Sequence, residues 1–263
     1  MSCTNQNNSG DEQGCHGQRM IHPLPCLFTT ASLLSGFYAI ISAINGNFLN
    51  AAIAIIVAGI FDGLDGRVAR LTKTTSTFGM EYDSLCDLVS FGVAPALLAY
   101  LWALEPYGRY GWLAAFLYVA TTALRLARFN SLTLEKPSHD FVGLPCPAAA
   151  GMIATTVLFS RYLGATETVK HVSILILVYL LSYLMVSNFS YMSFKHPSAK
   201  SKKTFQVMVS MVLLLILVAA EPHVTLFIIG AIYVLSGPFS ATYRFLHRTD
   251  KVDEGADEQE NII

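Results

Sequence analysis

The chain has 263 residues, 53% of them hydrophobic and only 13% charged, with a mean hydropathy of +0.49. That is too apolar for a soluble domain and fits an all-α, polytopic membrane bundle. The formal net charge of -1 removes any global case for nucleic-acid binding.

In chain order, residues 1–22 read as a polar tail without a signal-peptide pattern, since the first apolar run begins near Leu24. Apolar windows then predict about eight spanning helices, near 27–45, 48–70, 79–103, 111–130, 144–163, 169–190, 204–220 and 223–243. They form one membrane domain, 23–247, followed by a second polar tail, 248–263. The five cysteines are scattered and suggest no disulfide framework, and Cys15-His16 lacks a second ligand pair at zinc spacing.

Positive charge orients such a bundle. With the amino terminus in the cytoplasm, Arg19, Arg67, Arg70, Lys73, Arg125, Arg128, Lys136, Lys195, Lys200, Lys202, Lys203, Arg244, Arg248 and Lys251 fall inside. Only Arg109, Arg161 and Lys170 fall outside, a ratio of fourteen to three. Both termini are therefore expected in the cytoplasm.

The second and third windows carry four aspartates at fixed spacing. They read Asp62-x2-Asp65-Gly66-x2-Ala69-Arg70-x8-Gly79-x3-Asp83-x3-Asp87. A charged side chain at the centre of a spanning helix costs about 2.5–3.5 kcal/mol on insertion scales, so these residues point to function. At about 100° per residue, Asp65, Gly66 and Ala69 lie within about 60° of Asp62. Asp83 and Asp87 are one turn apart, with Gly79 a turn earlier. A link of about eight residues, Leu71 to Phe78, predicts that the two helices pack antiparallel and bring four carboxylates to one depth at the cytoplasmic side.

Four close carboxylates repel one another unless cations bind or some protonate. An all-oxygen set suits Mg²⁺ or Mn²⁺, with Ca²⁺ as an alternative, rather than zinc. Two such ions would bind a pyrophosphate and stabilise charge in phosphoryl transfer. Gly66, Ala69 and Gly79 leave room for a bulky ligand, or else permit close helix packing.

This arrangement resembles the CDP-alcohol phosphotransferase family. The resemblance implies a CDP-linked lipid substrate, a divalent metal site and CMP as leaving group. Carried over by position, it implies that Asp62, Asp65, Asp83 and Asp87 hold metal and that Asp87 is the general base. Asp62, Gly66, Ala69, Arg70, Gly79 and Asp83 would line the nucleotide and diphosphate site. Ala127-Arg128-Phe129-Asn130 and Phe141-Val142-Gly143-Leu144-Pro145-Cys146-Pro147 are similar to stretches of the integral-membrane phosphatidylserine synthases. That likeness implies CDP-diacylglycerol and L-serine as substrates, membrane lipids as surroundings and a homodimer. One departure concerns the first helix. Cys26 follows Leu24-Pro25 where the relatives are expected to carry asparagine, and Thr30-Ala31-Ser32 stands where another is expected.

The acceptor's carboxylate calls for an arginine or a helix N-terminus. Arg125, Arg128 and Lys136 fall on the expected side, and the two arginines, three apart, can share a face. They are acceptor-binding candidates, with snorkelling to anionic headgroups as the other reading. The Gly143-Leu144-Pro145 break either frees backbone groups for a ligand or is a plain loop. Cys86, about 100° from Asp87, reads as packing. The expected activity is transfer of the phosphatidyl group from CDP-diacylglycerol to L-serine. The alternatives are the same transfer to glycerol 3-phosphate or an inositol phosphate, and a divalent-cation transporter.

Overall fold

The computed structural model describes residues 23–72, 77–135, 143–164, 172–187 and 221–239. All regular structure among them is helical. α1 spans Pro23–Ile44, α2 Phe48–Thr72 and α3 Thr77–Asp87. α3 runs on without a break through a π stretch, Leu88–Val93, then α4, Ala94–Ala99, a second π stretch, Tyr100–Leu104, and a 3-10 turn, Glu105–Tyr107. α5 spans Arg109–Glu135, α6 Cys146–Tyr162, α7 Val172–Val186 and α8 Pro222–Phe239.

Four helical stretches are long and apolar enough to cross a membrane: Cys26–Ile44, Phe48–Val68, Phe78–Tyr107 and Pro222–Phe239. α7 is apolar but shorter. α6 has 17 residues, about 25 Å at 1.5 Å per residue, which is less than the ~30 Å hydrocarbon core. It is short because its start is fixed. Pro145, at φ -57 and ψ 138, is extended and caps the helix, so α6 begins at Cys146 rather than at the expected 144. Gly143 precedes it at φ +85, and a Cβ there would lie 2.6 Å from the Met185 carbonyl oxygen. The break is thus a close approach to the end of α7, sealed by Leu144 N–H donating to the Leu184 carbonyl at 3.1 Å. The apolar window expected at 204–220, the tails 1–22 and 248–263, and Lys136 lie outside the described residues.

The core is built from small residues. Ala51, Ala52, Ala58, Ala94, Ala99, Ala149, Ala150 and Ala154 are buried, together with Leu98, Leu181 and Leu184. Small side chains let helix backbones approach closely where lipid offers no hydrophobic drive to associate. The closest pair is α1 and α2, where the Ser32 hydroxyl donates to the Ala58 carbonyl at 3.0 Å and that of Ser35 to the Ala54 carbonyl at 2.8 Å. A Cβ on Gly36 would come within 2.7 Å of the Ser90 Cα, so α1 and the first π stretch touch backbone to backbone. α8 is held to α6 by the stacked rings of Phe159 and Phe227, 4.6 Å apart.

The two aspartate-bearing helices pack together beyond the site rather than at it. α2 touches the π stretch and α4 that continue α3, has almost no close backbone approach to α3 itself, and α1 lies against both. Only residues 73–76 separate α2 from α3 in sequence, because both helices extend into the expected link.

Candidate active site

The site begins with two helical stretches that stay regular through their acidic residues. Asp62 and Asp65 lie in the second half of α2, Asp83 and Asp87 one turn apart at the end of α3. Asp87 is the last α-helical residue before the π stretch Leu88–Val93. The wider π turn changes the face that follows. Ser90 therefore turns to α1, donating to the Ser32 carbonyl at 3.2 Å, and Gly92 to Thr122 of α5, while Asp87 faces α2.

Asp62, Asp83 and Asp87 each offer a carboxylate oxygen, and the three atoms lie within 4.8 Å of one another. Both helices therefore supply the same point, as the spacing predicts. Asp83 Oδ1 is buried and has no hydrogen-bond partner. A buried acceptor left without a donor costs about 1–3 kcal/mol, more when charged. Orphaned oxygen and crowded negative charge together fit a hard divalent cation, and the donor set is all oxygen.

Asp65 is not one of the three. It is 6% exposed, and its Oδ2 accepts a 2.9 Å hydrogen bond from the Thr29 hydroxyl of α1. The expected convergence of four carboxylates is thus three in contact and a fourth held alongside. Gly66 and Gly79 are half-buried on these helices. Ala69 and Arg70 continue α2, and their side chains lie outside the described residues.

The two arginines expected to share a face have different surroundings. Arg125 is half-buried, its Nη1 donating to the Cys146 Sγ at 3.4 Å, and its Nε is buried without a partner. Arg128 is exposed. Asn130 ties this end of α5 to α3: its Nδ2 donates to the Ser84 hydroxyl at 3.0 Å and reaches Glu81 at 3.4 Å. Cys86 is buried, in keeping with packing. Sequence reasoning missed Thr29, Thr30, Tyr82 and the Ser84–Asn130 pair. Their signal was the hydroxyl-bearing pair Thr29-Thr30 near the start of an apolar window. A cavity of about 520 Å³ between α6 and α8, lined by Gly151, Met152, Gly230 and Tyr233, contains none of the carboxylates.

These features describe a helical bundle with membrane-length helices and an acidic site able to hold a hard cation. The sequence profile of CDP-alcohol phosphatidyltransferases matches residues 22–179, a stretch that contains all four aspartates. The chain belongs to the CDP-alcohol phosphatidyltransferase family. It is 39% identical over 220 residues to a CDP-diacylglycerol–serine O-phosphatidyltransferase of Helicobacter pylori, covering 82% of this chain and 91% of that one. It is 35% identical over 179 residues to the protein of the same name from Bacillus subtilis, covering 68% and 94%. An archaetidylserine synthase of Methanothermobacter thermautotrophicus is 37% identical over 170 residues, covering 64% and 69%.

Proposed function

We propose that the protein transfers the phosphatidyl group of CDP-diacylglycerol to the hydroxyl of L-serine, giving phosphatidylserine and CMP. The observation that carries this is the three-carboxylate cluster, which lies within the family's matched region. Asp62, Asp83 and Asp87, with Asp65 beside them, would hold divalent metal, Mg²⁺ or Mn²⁺ and two ions in number. Bound there, the metal supplies neutralisation of the diphosphate and of the charge that develops at phosphorus. Gly66, Ala69, Arg70 and Gly79 line the diphosphate and nucleotide. Asp87 accepts the proton of the serine hydroxyl, whose oxygen attacks the lipid-side phosphorus in line as CMP departs. A cation transporter finds no support in the family match. A phosphorylated acceptor such as glycerol 3-phosphate or an inositol phosphate would demand more cationic groups than the described site offers.

Arg125 is the best-placed partner for the serine carboxylate. Its Nε has no acceptor, and a thiol is a weak one for Nη1. Arg125→Ala should raise the serine KM about ten- to 150-fold, the worth of a hydrogen bond to a charged group, and leave the CDP-diacylglycerol KM nearly unchanged. Lysine should rescue only in part, lacking the planar fork. An unchanged serine KM would move the carboxylate to Arg128, Lys136 or the backbone near Gly143.

The eight-span topology, cytoplasmic termini, cytoplasm-facing site and homodimer belong to the same proposal. The eight spans rest on the apolar windows, and the cytoplasmic termini and site on fourteen basic residues against three. A cysteine at position 73 should react with an impermeant reagent only after cells are permeabilised, and reaction in intact cells would reverse the orientation.

A further inference from the structure

α2 packs on the helical run that continues α3 through Leu88–Val93 and Ala94–Ala99 but hardly on α3 itself, while three carboxylates of the two helices meet within 4.8 Å. At the level of the site it is α1 that lies against both helices. Two consecutive residues of α1 contact both. Thr29, 6% exposed, donates to Asp65 Oδ2 of α2 at 2.9 Å. The Thr30 hydroxyl lies 3.0 Å from that of Tyr82 on α3. Thr30 has one hydroxyl proton, and it is given to the Cys26 carbonyl at 2.6 Å. Tyr82 therefore donates to Thr30. Tyr82 precedes Asp83 and is stacked on Phe78, their centroids 6.1 Å apart.

We propose that Thr29 and Thr30 form a clasp on α1 that sets the geometry of the carboxylate site from outside it. Both are positioning residues. Thr29 holds one oxygen of Asp65 and so orients the other. Thr30 anchors the turn of α3 that carries Asp83. The inference rests on the metal-site reading of the aspartates, and its test separates the two.

Mn²⁺ binding to the purified protein, followed by electron paramagnetic resonance without substrate, is the readout, with a thermal melt of each variant beside it. Losing a hydrogen-bond partner that orients a metal ligand typically costs about 10–100-fold in metal affinity. Thr29→Val keeps the shape and removes the hydroxyl, and should weaken Mn²⁺ binding within that range. Thr29→Ser keeps the hydroxyl and should bind within about threefold of the parent. In an Asp65→Asn background Thr29→Val should add little, because the two act as one unit. Thr30→Val and Tyr82→Phe should show equal, smaller losses, and the double variant no more than either. Parent-like Mn²⁺ affinity in Thr29→Val, or a loss as large in Thr29→Ser, would overturn the clasp. So would a loss of affinity matched by a lowered melt in both Thr29 variants. No Mn²⁺ binding by the parent protein would instead remove the metal-site reading on which the clasp depends.

Discussion

Asp87→Asn should cut turnover by about 10²–10⁴-fold, the usual worth of a general base, with further loss from weakened metal binding. Asparagine preserves the shape and the fit against the π stretch Leu88–Val93 but cannot accept a proton. Asp87 shares its cluster with Asp62 and Asp83. Those two, with Asp65 nearby, still offer carboxylates in the variant. Affinity for a CDP-containing ligand should therefore fall far less than turnover. Rates measured under single-turnover conditions, beside equilibrium binding of CDP, separate the two quantities. Near-normal turnover at neutral pH would exclude Asp87 as the base. An equal collapse of CDP binding would make it a metal ligand with no separate role.

Removal of divalent metal should abolish activity, and Mn²⁺ or Mg²⁺ should restore it. The physical reason is the packing of negative charge. Three carboxylates within 4.8 Å, with Asp83 Oδ1 buried and unpartnered, cannot hold a diphosphate without compensating cations. Asp62→Asn and Asp83→Asn should lose metal affinity and activity together, by more than the roughly 10–100-fold that loss of an outer hydrogen-bonding partner costs. Asp65→Asn should weaken both as well, although its Oδ2 is already engaged by Thr29. Full turnover in chelator-treated protein would remove the basis of the mechanism. A check for retained fold is simple, since neutralising repelling carboxylates should not lower the melting temperature.

The carboxylate cluster was legible because helical periodicity is local. Asp83 and Asp87 fall one turn apart on any helix, and the short link forces the second pair toward the first. What decides between facing and touching is not local. α1 lies against both α2 and α3, and one oxygen of Asp65 is taken up by Thr29. No spacing in 62–87 encodes that. The arginines show the same limit. Three residues apart, Arg125 and Arg128 could share a face, but only the start of α6 at Cys146 determines that Arg125 is half-buried against a thiol. That start depends in turn on Gly143 meeting Met185, some forty residues away in sequence. The π stretch after Asp87 carries no proline, and nothing in Leu88–Val93 announces it. Helix positions were predicted within a few residues where apolar windows end in polar ones. They drifted most at α5, which runs on to Glu135, and at α3, whose π turns carry the helical run on to Tyr107.

Phosphatidyl transfer to serine can be followed by supplying the purified protein with CDP-diacylglycerol, Mn²⁺ and either L-serine or glycerol 3-phosphate, and measuring CMP release and the lipid formed. The expected result is serine-dependent CMP release with phosphatidylserine as the product. CMP release that depends on glycerol 3-phosphate and ignores serine would contradict the acceptor assignment. The absence of release with either acceptor, in folded protein that binds metal, would contradict the proposed activity itself.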